Sequence, residues 1–339
     1  MRKNFWRSLA VLSSVLMTGA SARAADFYEG KTITIVVGFT PGGTYDQMAR
    51  FYSRHLPRFL PGKPTVIVQN MPGAGSMVAT SHLYNAAARD GTVLGVIGGG
   101  TVWEAILGNP QARYDPKAFN WVGGKSRDNI TCLVWHTSPI RTIEDVRTRE
   151  VVVGSTGPGS RTMTFPKALN ELAGTKFKIV AGYPGGNEIT NALEKGEVEG
   201  YCGWALGSLK QRAPAWYNEK KLRFLVQFAT ERDRELADVP LATDLAKTPA
   251  ASRIMEFLTS DATLAWTLLA PPGVPAERVA LLRTAFEAML KDPAALAEAE
   301  REKLEIGPVS GADLQALVER LAETPAETIA AIKVINNAK

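Results

Sequence analysis

The sequence predicts an α/β protein of two lobes, each built on a doubly wound sheet with helices on both faces. Between residues 31 and 97, apolar runs, glycine turns and helical patterns follow one another repeatedly. The same order returns after the strand-like run Ile130–Trp135. Such alternation is typical of parallel sheets flanked by helices. A chain of 339 residues is also long enough for two hydrophobic cores.

Apolar periodicity places the elements of the first repeat. In chain order we predict a strand at Ile33–Val37, a helix from Tyr45 to about Phe59, a strand at Val66–Val68, a helix from about Met77 to Ala88 and a strand at Val93–Ile97. Thr44 and Gln47 have the spacing of a capping box at the start of the first helix. Asp46 complements the helix dipole there, and we interpret it as structural rather than as a ligand contact.

The second repeat is placed in the same way. After Ile130–Trp135 we predict a strand at Val151–Val153, a helix from Arg161 to about Ala173 ended by Gly174, a strand at Phe177–Val180, a short helix bounded by Asn187 and Gly196, and strands at Val198–Cys202 and Leu222–Phe228. The helical tail beyond Pro275 is expected to pack back onto the first lobe. The chain then crosses twice between lobes, which gives residues 25–123 and 235–339 to lobe 1 and residues 124–234 to lobe 2.

The first residues have the three parts of an export signal: basic Arg2, Lys3 and Arg7, an apolar run over Leu9–Met17, and Ala22-Arg23-Ala24 as a small-residue cleavage site. We predict a signal peptide of residues 1–24. A membrane anchor is the weaker alternative, because the apolar run is shorter than the roughly 20 residues that a bilayer requires. Removal of four basic residues and no acid lowers the formal charge from +5 to +1. No basic stripe then remains to indicate nucleic acid as a partner.

Cys132 and Cys202 are the two cysteines of the chain. An exported protein meets an oxidising compartment in which a disulfide persists. Two buried free thiols that behave as small hydrophobic groups are an equally good interpretation, so the sequence leaves the bridge open.

Three glycine-rich turns follow predicted strands and precede predicted helices: Pro41-Gly42-Gly43-Thr44, Pro72-Gly73-Ala74-Gly75-Ser76 and Gly154–Ser160. Each places backbone N–H groups at a helix start, where a carboxylate or phosphate is favoured. They predict a cleft that faces an anion from two sides.

Motifs of catalysis are missing from the sequence. There is no G-x-S-x-G elbow and no phosphate-binding P-loop, and His55, His82 and His136 lack metal-site spacing. We therefore expect a binding protein without metal or cofactor rather than an enzyme.

Several segments resemble the Bug family, the extracytoplasmic receptors of tripartite tricarboxylate transporters. Gly38–Arg50 resembles the family pattern PF-x-PGG-x-x-D-x-x-AR, and Asn70–Gly75 resembles N-x-PGAGG with Ser76 in place of the last glycine. Ser155–Ser160 is similar to S-S-G-x-G-S, while Asp238–Pro240 and Ala270–Pro275 resemble PDVP and APxGTP. The resemblance runs collinearly over nearly the whole chain after residue 24.

This resemblance implies a type II periplasmic binding protein, a Venus-flytrap of two lobes that closes on a small organic carboxylate. It also implies a periplasmic location and membrane permease subunits of a tripartite carrier as partners, and we expect a monomer. A ligand-sensing adaptor that presents the bound carboxylate to a sensor kinase is the alternative.

The resemblance implies ligand contacts at Phe39, Gly42, Gly43, Thr44, Ala74 and Gly75 in lobe 1 and at Ser155, Thr156 and Ser160 in lobe 2. Neighbouring residues complete the candidate set: Tyr45, Ser76, Thr101, Arg161, Tyr183, Gly185, Gly186 and Trp204. Arg161 either pairs with a distal carboxylate or points to solvent. Trp103 and Trp204 either wall the cleft or lie in the lobe cores. At Ala181–Gly186 the chain keeps the tyrosine of the family's VPYKG and lacks its lysine, so ligand identity does not follow from the resemblance.

Overall fold

The computed structural model describes residues 27–337, apart from residues 126–128, 159, 230, 303 and 305. The predicted signal peptide, residues 1–24, lies outside the described residues. No helix within the described residues is long and apolar enough to cross a bilayer.

The strands follow the predicted order, with additions. They are β1 Thr32–Val37, β2 Thr65–Asn70, β3 Val93–Val96, β4 Asn120–Gly124, β5 Ile130–Trp135, β6 Val151–Ser155, β7 Phe177–Ala181, β8 Gly200–Ala205, β9 Leu222–Phe228, β10 Leu268–Ala270 and β11 Val309–Ser310.

Most helices lie between these strands or in the tail. The α-helices are α1 Thr44–His55, α2 Met77–Asn85, α3 Gly100–Ile106, α4 Ile143–Thr148, α5 Arg161–Ala173, α6 Gly186–Glu194, α7 Leu206–Arg212, α8 Pro214–Asn218, α9 Pro249–Thr259, α10 Asp261–Leu264, α11 Ala276–Met289, α12 Pro293–Arg301, α13 Gly311–Ala322 and α14 Ala326–Asn337. Short 3-10 helices occur at Leu56–Phe59, Ala74–Ser76, Pro116–Ala118, Arg234–Leu236 and Thr243–Leu245.

The first predicted helix is therefore shorter than expected. It ends as an α-helix at His55 and continues as a 3-10 turn over Leu56–Phe59. Pro57 lies in that turn and has no N–H to donate to the carbonyl of Ser53, so the α-helical hydrogen-bond pattern stops there.

The first sheet has the strand order β11-β4-β10-β3-β1-β2 among the described residues. β1 is parallel to both β2 and β3, whereas β10 and β11 run antiparallel to their neighbours. In this register Val37 is opposite Asn70 on one side and Val96 on the other. The loops after β1, β2 and β3 consequently leave the sheet at the same edge.

The second sheet has the order β7-β6-β8-β5-β9. β6 is parallel to β7 and β8, and β5 is antiparallel to β8 and β9. Cys132 on β5 lies opposite Cys202 on β8, and their sulfur atoms form a disulfide. The sequence left open whether these cysteines are bridged or free, and the structure shows them bridged.

The tail packs on the first sheet and on a helix of the second repeat, which differs in part from the expectation. α11 and α13 contact β4 of the first sheet, but α14 contacts α5 and α9. Ile332 and Ile335 of α14 are buried, so this apolar face joins a helix of the predicted first lobe to a helix of the second. The predicted lobe boundaries themselves stay a prediction.

One buried apolar cluster extends from the first sheet to the second. Phe165 of α5 stacks on Phe228 of β9 at 3.7 Å between ring centroids and lies 6.0 Å from the ring of Trp103 in α3. The two lobes are therefore joined by a continuous core on one side, and the cleft lies where the glycine loops meet.

Candidate functional site

The carboxyl ends of the parallel strands in both sheets face one cleft, the position where open α/β folds bind small molecules. An inner cavity of about 60 Å³ lies there. It is lined by Phe39, Thr40, Gly43, Thr44, Tyr45, Gly75, Gly98, Gly99, Gly100, Thr156, Ser160, Arg161, Thr162, Gly186, Tyr201, Gly203, Trp204 and Arg212. An outer cavity of about 220 Å³ shares Phe39, Gly75 and Thr156 with it.

The lobes touch each other across the cleft. Asn187 Nδ2, in α6, donates to the carbonyl of Pro41 in the loop after β1, at 3.4 Å. The guanidinium of Arg161 lies over the rings of Tyr45 at 5.9 Å and Trp266 at 5.2 Å. Arg161 thus faces the cleft rather than solvent, and its cation–π contacts join the lobes.

The first glycine loop is held by Asp46, not by the predicted capping box. The N-cap of α1 is Gly43, and no side chain caps the helix there. Thr44 is already inside the helix, so its hydroxyl is not in the N-cap position. Instead, the carboxylate of Asp46 accepts a 2.8 Å hydrogen bond from the N–H of Gly42. This N–H is therefore occupied within the protein.

Asp46 is 2% exposed and accepts further hydrogen bonds from Arg50 and from Asn70 Nδ2. Burial raises the pKa of this carboxyl, but the hydrogen bonds from Arg50, Gly42 and Asn70 outweigh burial and hold the pKa below its usual value. Asp46 is ionised at neutral pH and organises the loop, in agreement with its structural interpretation.

Thr44 and Tyr45 occupy the first turn of α1 and line the inner cavity. N–H groups in the first turn of a helix have no carbonyl one turn earlier to bond to, and the helix dipole favours an anion beside them. The ring of Tyr45 stacks on that of Phe39 at 4.4 Å between centroids. This turn offers backbone donors next to an aromatic wall.

The second glycine loop has an unusual backbone. Ala74, Gly75 and Ser76 have φ angles of +46°, +62° and +83°. Positive φ favours glycine, which gives a reason for the glycine that the family pattern has in place of Ser76. The hydroxyl of Ser76 accepts a hydrogen bond from the N–H of Gly98 at 3.1 Å, so it fastens this loop to the next one. Ala74, Ser76 and Tyr183 line the outer cavity.

Hydroxyl groups bond to one another in the third loop, after β6. Thr162 Oγ1 lies 2.7 Å from Ser160 Oγ and 3.2 Å from Ser155 Oγ, and it accepts from the N–H of Thr156. Ser160 Oγ also donates to the carbonyl of Gly157 at 2.7 Å. Thr156 and Ser160 line the inner cavity, whereas Ser155 is buried behind them. These hydrogen bonds fix the loop between β6 and α5, whose residues Thr156 and Ser160 face the cleft.

The start of α6 approaches the first lobe closely. A Cβ atom on Gly185 would lie 2.3 Å from Thr40 Oγ1, and one on Gly186 would lie 2.9 Å from the hydroxyl oxygen of Tyr201. Only glycine allows these two approaches without a shift of the neighbours. Gly186 lines the inner cavity, and Gly185 lies at the contact between the lobes.

The two tryptophans differ in position. Trp204 lines the inner cavity and stacks on Tyr201 at 5.4 Å between centroids. Trp103 is buried between Phe165 and Phe257, and its Nε1 donates to Ser260 Oγ. Thr101 is also buried, with its hydroxyl donating to the carbonyl of Gly98 rather than toward the cleft.

Several lining residues were not in the sequence-based set: Thr40, Gly98, Gly99, Gly100, Thr162, Tyr201, Gly203 and Arg212. The run Gly98–Gly100 follows a predicted strand as the other three turns do, so the same rule would have found it. Arg212 has no such signal, because it reaches the cavity from the far end of α7. Within the described residues, no group of three or more His, Cys, Asp or Glu side chains is placed to hold a metal ion.

Comparison with known proteins shows the family to which this chain belongs. The model of the tripartite tricarboxylate transporter family receptor matches residues 58–336. The chain belongs to this family. Its members are solute receptors, so the protein is a receptor and not an enzyme, and the resemblance read from the motifs is confirmed.

A curated relative and two solved structures are similar to this chain over most of their length. The UPF0065 protein in the gbd 5′ region of Cupriavidus necator is 26% identical over 309 residues, 86% of each chain. The periplasmic binding protein BugD has a TM-score of 0.71 at 20% identity, over 91% of this chain and 98% of BugD. MatC from Rhodopseudomonas palustris, solved with bound malate, has a TM-score of 0.69 at 23% identity, over 91% and 99%. The two structures confirm the predicted two-lobed fold.

Proposed function

We propose that this receptor captures a small organic carboxylate between its lobes and delivers it to the membrane subunits of a tripartite carrier. The proposal includes export of the chain, with residues 1–24 as a signal peptide, and a periplasmic location. The family of the chain and the bound malate of MatC support a carboxylate as the ligand.

The charge of the inner cavity is the observation that carries the proposal. Its described lining contains Arg161 and Arg212 and neither an aspartate nor a glutamate. The starts of α1, α5 and α6 contribute further lining residues, and all three helices direct their positive dipole ends to this region. Such a cavity favours an anion and disfavours a cation.

We assign the carboxylate to the backbone donors of Gly43 and Thr44, because these residues line the cavity at the N-terminus of a twelve-residue helix. Thr156 and Ser160 face them from the second lobe. The N–H of Gly42 is not included, since Asp46 already accepts from it.

A thermal-shift screen of organic acids tests the binding step. A ligand at one hundred times its Kd stabilises the folded state by about 2.7 kcal/mol, which is readily seen as a higher Tm. Amines and uncharged amides of the same carbon skeletons are the matched controls. A Tm that rises with the amines and not with the acids would contradict the proposal.

Delivery is a separate step and needs its own assay. Uptake of a labelled screening hit should be followed in membrane vesicles that contain the carrier's membrane subunits, with and without the purified receptor. Uptake that depends on the receptor supports transport. Binding without any effect on uptake would favour the sensor-kinase alternative.

A further inference from the structure

We propose that Arg212 binds a second acidic group of the ligand, so that the receptor prefers a short dicarboxylate to the monocarboxylate of equal chain length. The inference rests on the proposed function, because it assumes that a first carboxylate occupies the cleft. It makes Arg212 a specificity-determining residue.

Arg212 is the last residue of α7, and its half-buried side chain lines the inner cavity. No carboxylate of the described residues lies within 4.0 Å of its guanidinium, the distance of an ion pair. Glu188 acts on it only at longer range. Burial lowers the pKa of Arg212, yet a guanidinium stays protonated in proteins. A positive charge without an ion-pair partner therefore faces the cavity.

Arg161 is in a different situation. Its guanidinium lies over the rings of Tyr45 and Trp266, which belong to the first lobe's half of the cleft. These contacts give Arg161 a role in holding the lobes together. Arg212 is the arginine that is better placed to pair with a ligand group.

Tyr201 and Gly186 line the inner cavity together with Arg212. The hydroxyl of Tyr201 lies beside Gly186, where a Cβ would approach it to 2.9 Å. Burial raises the pKa of Tyr201, so its hydroxyl is neutral and able to donate a hydrogen bond to a ligand. Gly186 opens α6, a helix of nine residues. Arg212, Tyr201 and the first turn of α6 thus supply donors from the second lobe, opposite the first turn of α1.

Electrostatics indicate why this cluster needs an anion. Closure removes water from the cavity, and a buried charge without a partner costs free energy. A monocarboxylate at the first turn of α1 leaves Arg212 with only the longer-range charge of Glu188, whereas a dicarboxylate adds a direct ion pair. Hydrogen bonds between two charged groups are also stronger than neutral ones.

The size of the inner cavity restricts the chain between the two acidic groups. With a volume of about 60 Å³ it is smaller than the outer cavity of about 220 Å³. A longer chain would extend past Phe39 into the outer cavity, away from Arg212, which lines the inner one. Compact dicarboxylates are therefore expected to bind best.

Isothermal titration calorimetry with matched pairs tests the assignment: malonate against propionate, succinate against butyrate, and glutarate against valerate. In the unmodified receptor we expect the dicarboxylate of at least one pair to bind about 10- to 100-fold more tightly. Arg212→Ala should remove that preference by weakening the dicarboxylate, and it should leave the monocarboxylate unchanged or slightly tighter. Lys210→Ala is the matched control, because Lys210 lies on the same helix and pairs with Glu235.

The outcomes separate this inference from the function on which it rests. Equal affinities within every pair, or an unchanged preference in Arg212→Ala, would overturn the role of Arg212 and leave carboxylate binding intact. Failure of all six acids to bind, with no organic acid of the thermal-shift screen bound either, would contradict the proposed function itself. Circular dichroism and the Tm of each variant establish that it is folded, and Arg212→Lys, which keeps charge but not the guanidinium geometry, should retain part of the preference.

Discussion

The N–H of Gly42 donates a 2.8 Å hydrogen bond to Oδ2 of Asp46, four residues later. This bond turns one expected ligand donor inward and fixes the turn that presents its neighbours Gly43 and Thr44 to the cleft. The glycine loop is thus preorganised by a buried carboxylate before any ligand binds. Preorganisation of this kind lowers the entropic cost of binding.

Asp46→Asn should destabilise the protein by about 1–3 kcal/mol at pH 7. The two carboxylate oxygens accept four hydrogen bonds, from Gly42 N, two nitrogens of Arg50 and Asn70 Nδ2. An amide has one oxygen only, so its NH₂ group would face donors. Arg50→Ala is the comparison: it removes the two bonds from the half-exposed arginine, keeps those from Gly42 and Asn70, and should therefore cost less than Asp46→Asn. Urea unfolding measures the loss of stability in each of the two variants.

The effect of Asp46 should also depend on pH. Its folded-state pKa lies below the unfolded value of 3.8, so its contribution is fully present above that value and is lost as the pH falls through the folded-state pKa. The difference in unfolding free energy between the parent protein and Asp46→Asn should therefore shrink below about pH 4. A difference that is constant from pH 7 to pH 3 would contradict this account.

A pair of substitutions at Gly43 tests the backbone donor. Gly43 has a φ of −72°, which proline also adopts, and its N–H makes only a long bond of 3.4 Å to the carbonyl of Thr40. Gly43→Pro removes the N–H and should weaken carboxylate binding by roughly 10-fold or more. Gly43→Ala keeps the N–H, and its Cβ would lie 3.4 Å from Thr40 O, so its affinity should stay near that of the parent. Equal affinities of the two variants in calorimetry would show that the ligand does not use this donor.

The disulfide of Cys132 and Cys202 should stabilise the second lobe by constraining the unfolded chain. Its cysteines are 70 residues apart, for which the loop-entropy model gives about 4 kcal/mol. Replacement of both cysteines by alanine should lower the Tm by about 6 °C, as measured by circular dichroism. The parent protein in a strong reductant is the matched comparison and should unfold near the same temperature. Two free thiols in denatured, unreduced protein from the periplasm would contradict the bridge.

Local patterns predicted most of the elements that surround the cleft. β5, β9 and α5 have the predicted bounds or nearly so, and Gly174 ends α5 in the left-handed conformation. Glycine turns after parallel strands could be recognised because a strand, a turn and a helix start are adjacent in sequence. Which of these turns face each other across the cleft follows from the topology of the two sheets.

The elements that the sequence did not predict depend on distant partners. β4 contains two glycines and forms a strand through pairing with β10 and β11, which come much later in the chain. Arg212 reaches the cavity because α7 follows β8 directly, a tertiary effect without local signal. The capping box at Thr44 was wrong because Asp46 provides a competing hydrogen bond to the turn.

Closure of the lobes should depend on the contact between Gly185 and Thr40. Gly185 has a φ of −164°, an extended conformation open to any residue, so Gly185→Ala leaves the backbone unstrained. Its Cβ would nevertheless lie 2.3 Å from Thr40 Oγ1 across the cleft. Thr40 is β-branched and restricted at χ1, so its hydroxyl cannot easily rotate away from the new methyl group. We expect Gly185→Ala to bind carboxylates roughly 10-fold more weakly.

A second substitution should restore closure. Thr40→Ala removes Oγ1 and leaves its Cβ 3.5 Å from the new methyl group, an ordinary contact. The remaining close atom, Glu188 Oε2 at 3.0 Å, is the end of a flexible side chain that can move aside. Small-angle scattering with a saturating screening hit should give the parent and the double variant Thr40→Ala/Gly185→Ala the same compact radius of gyration, and Gly185→Ala a larger one. Thr40 Oγ1 has no hydrogen-bond partner among the described residues, so Thr40→Ala alone should leave the stability of the fold nearly unchanged, and it is the matched reference for the double variant. If Gly185→Ala closed and bound as the parent does, the ligand-bound lobes would meet through a different surface, since hinge closure through this one requires the space that the methyl group fills.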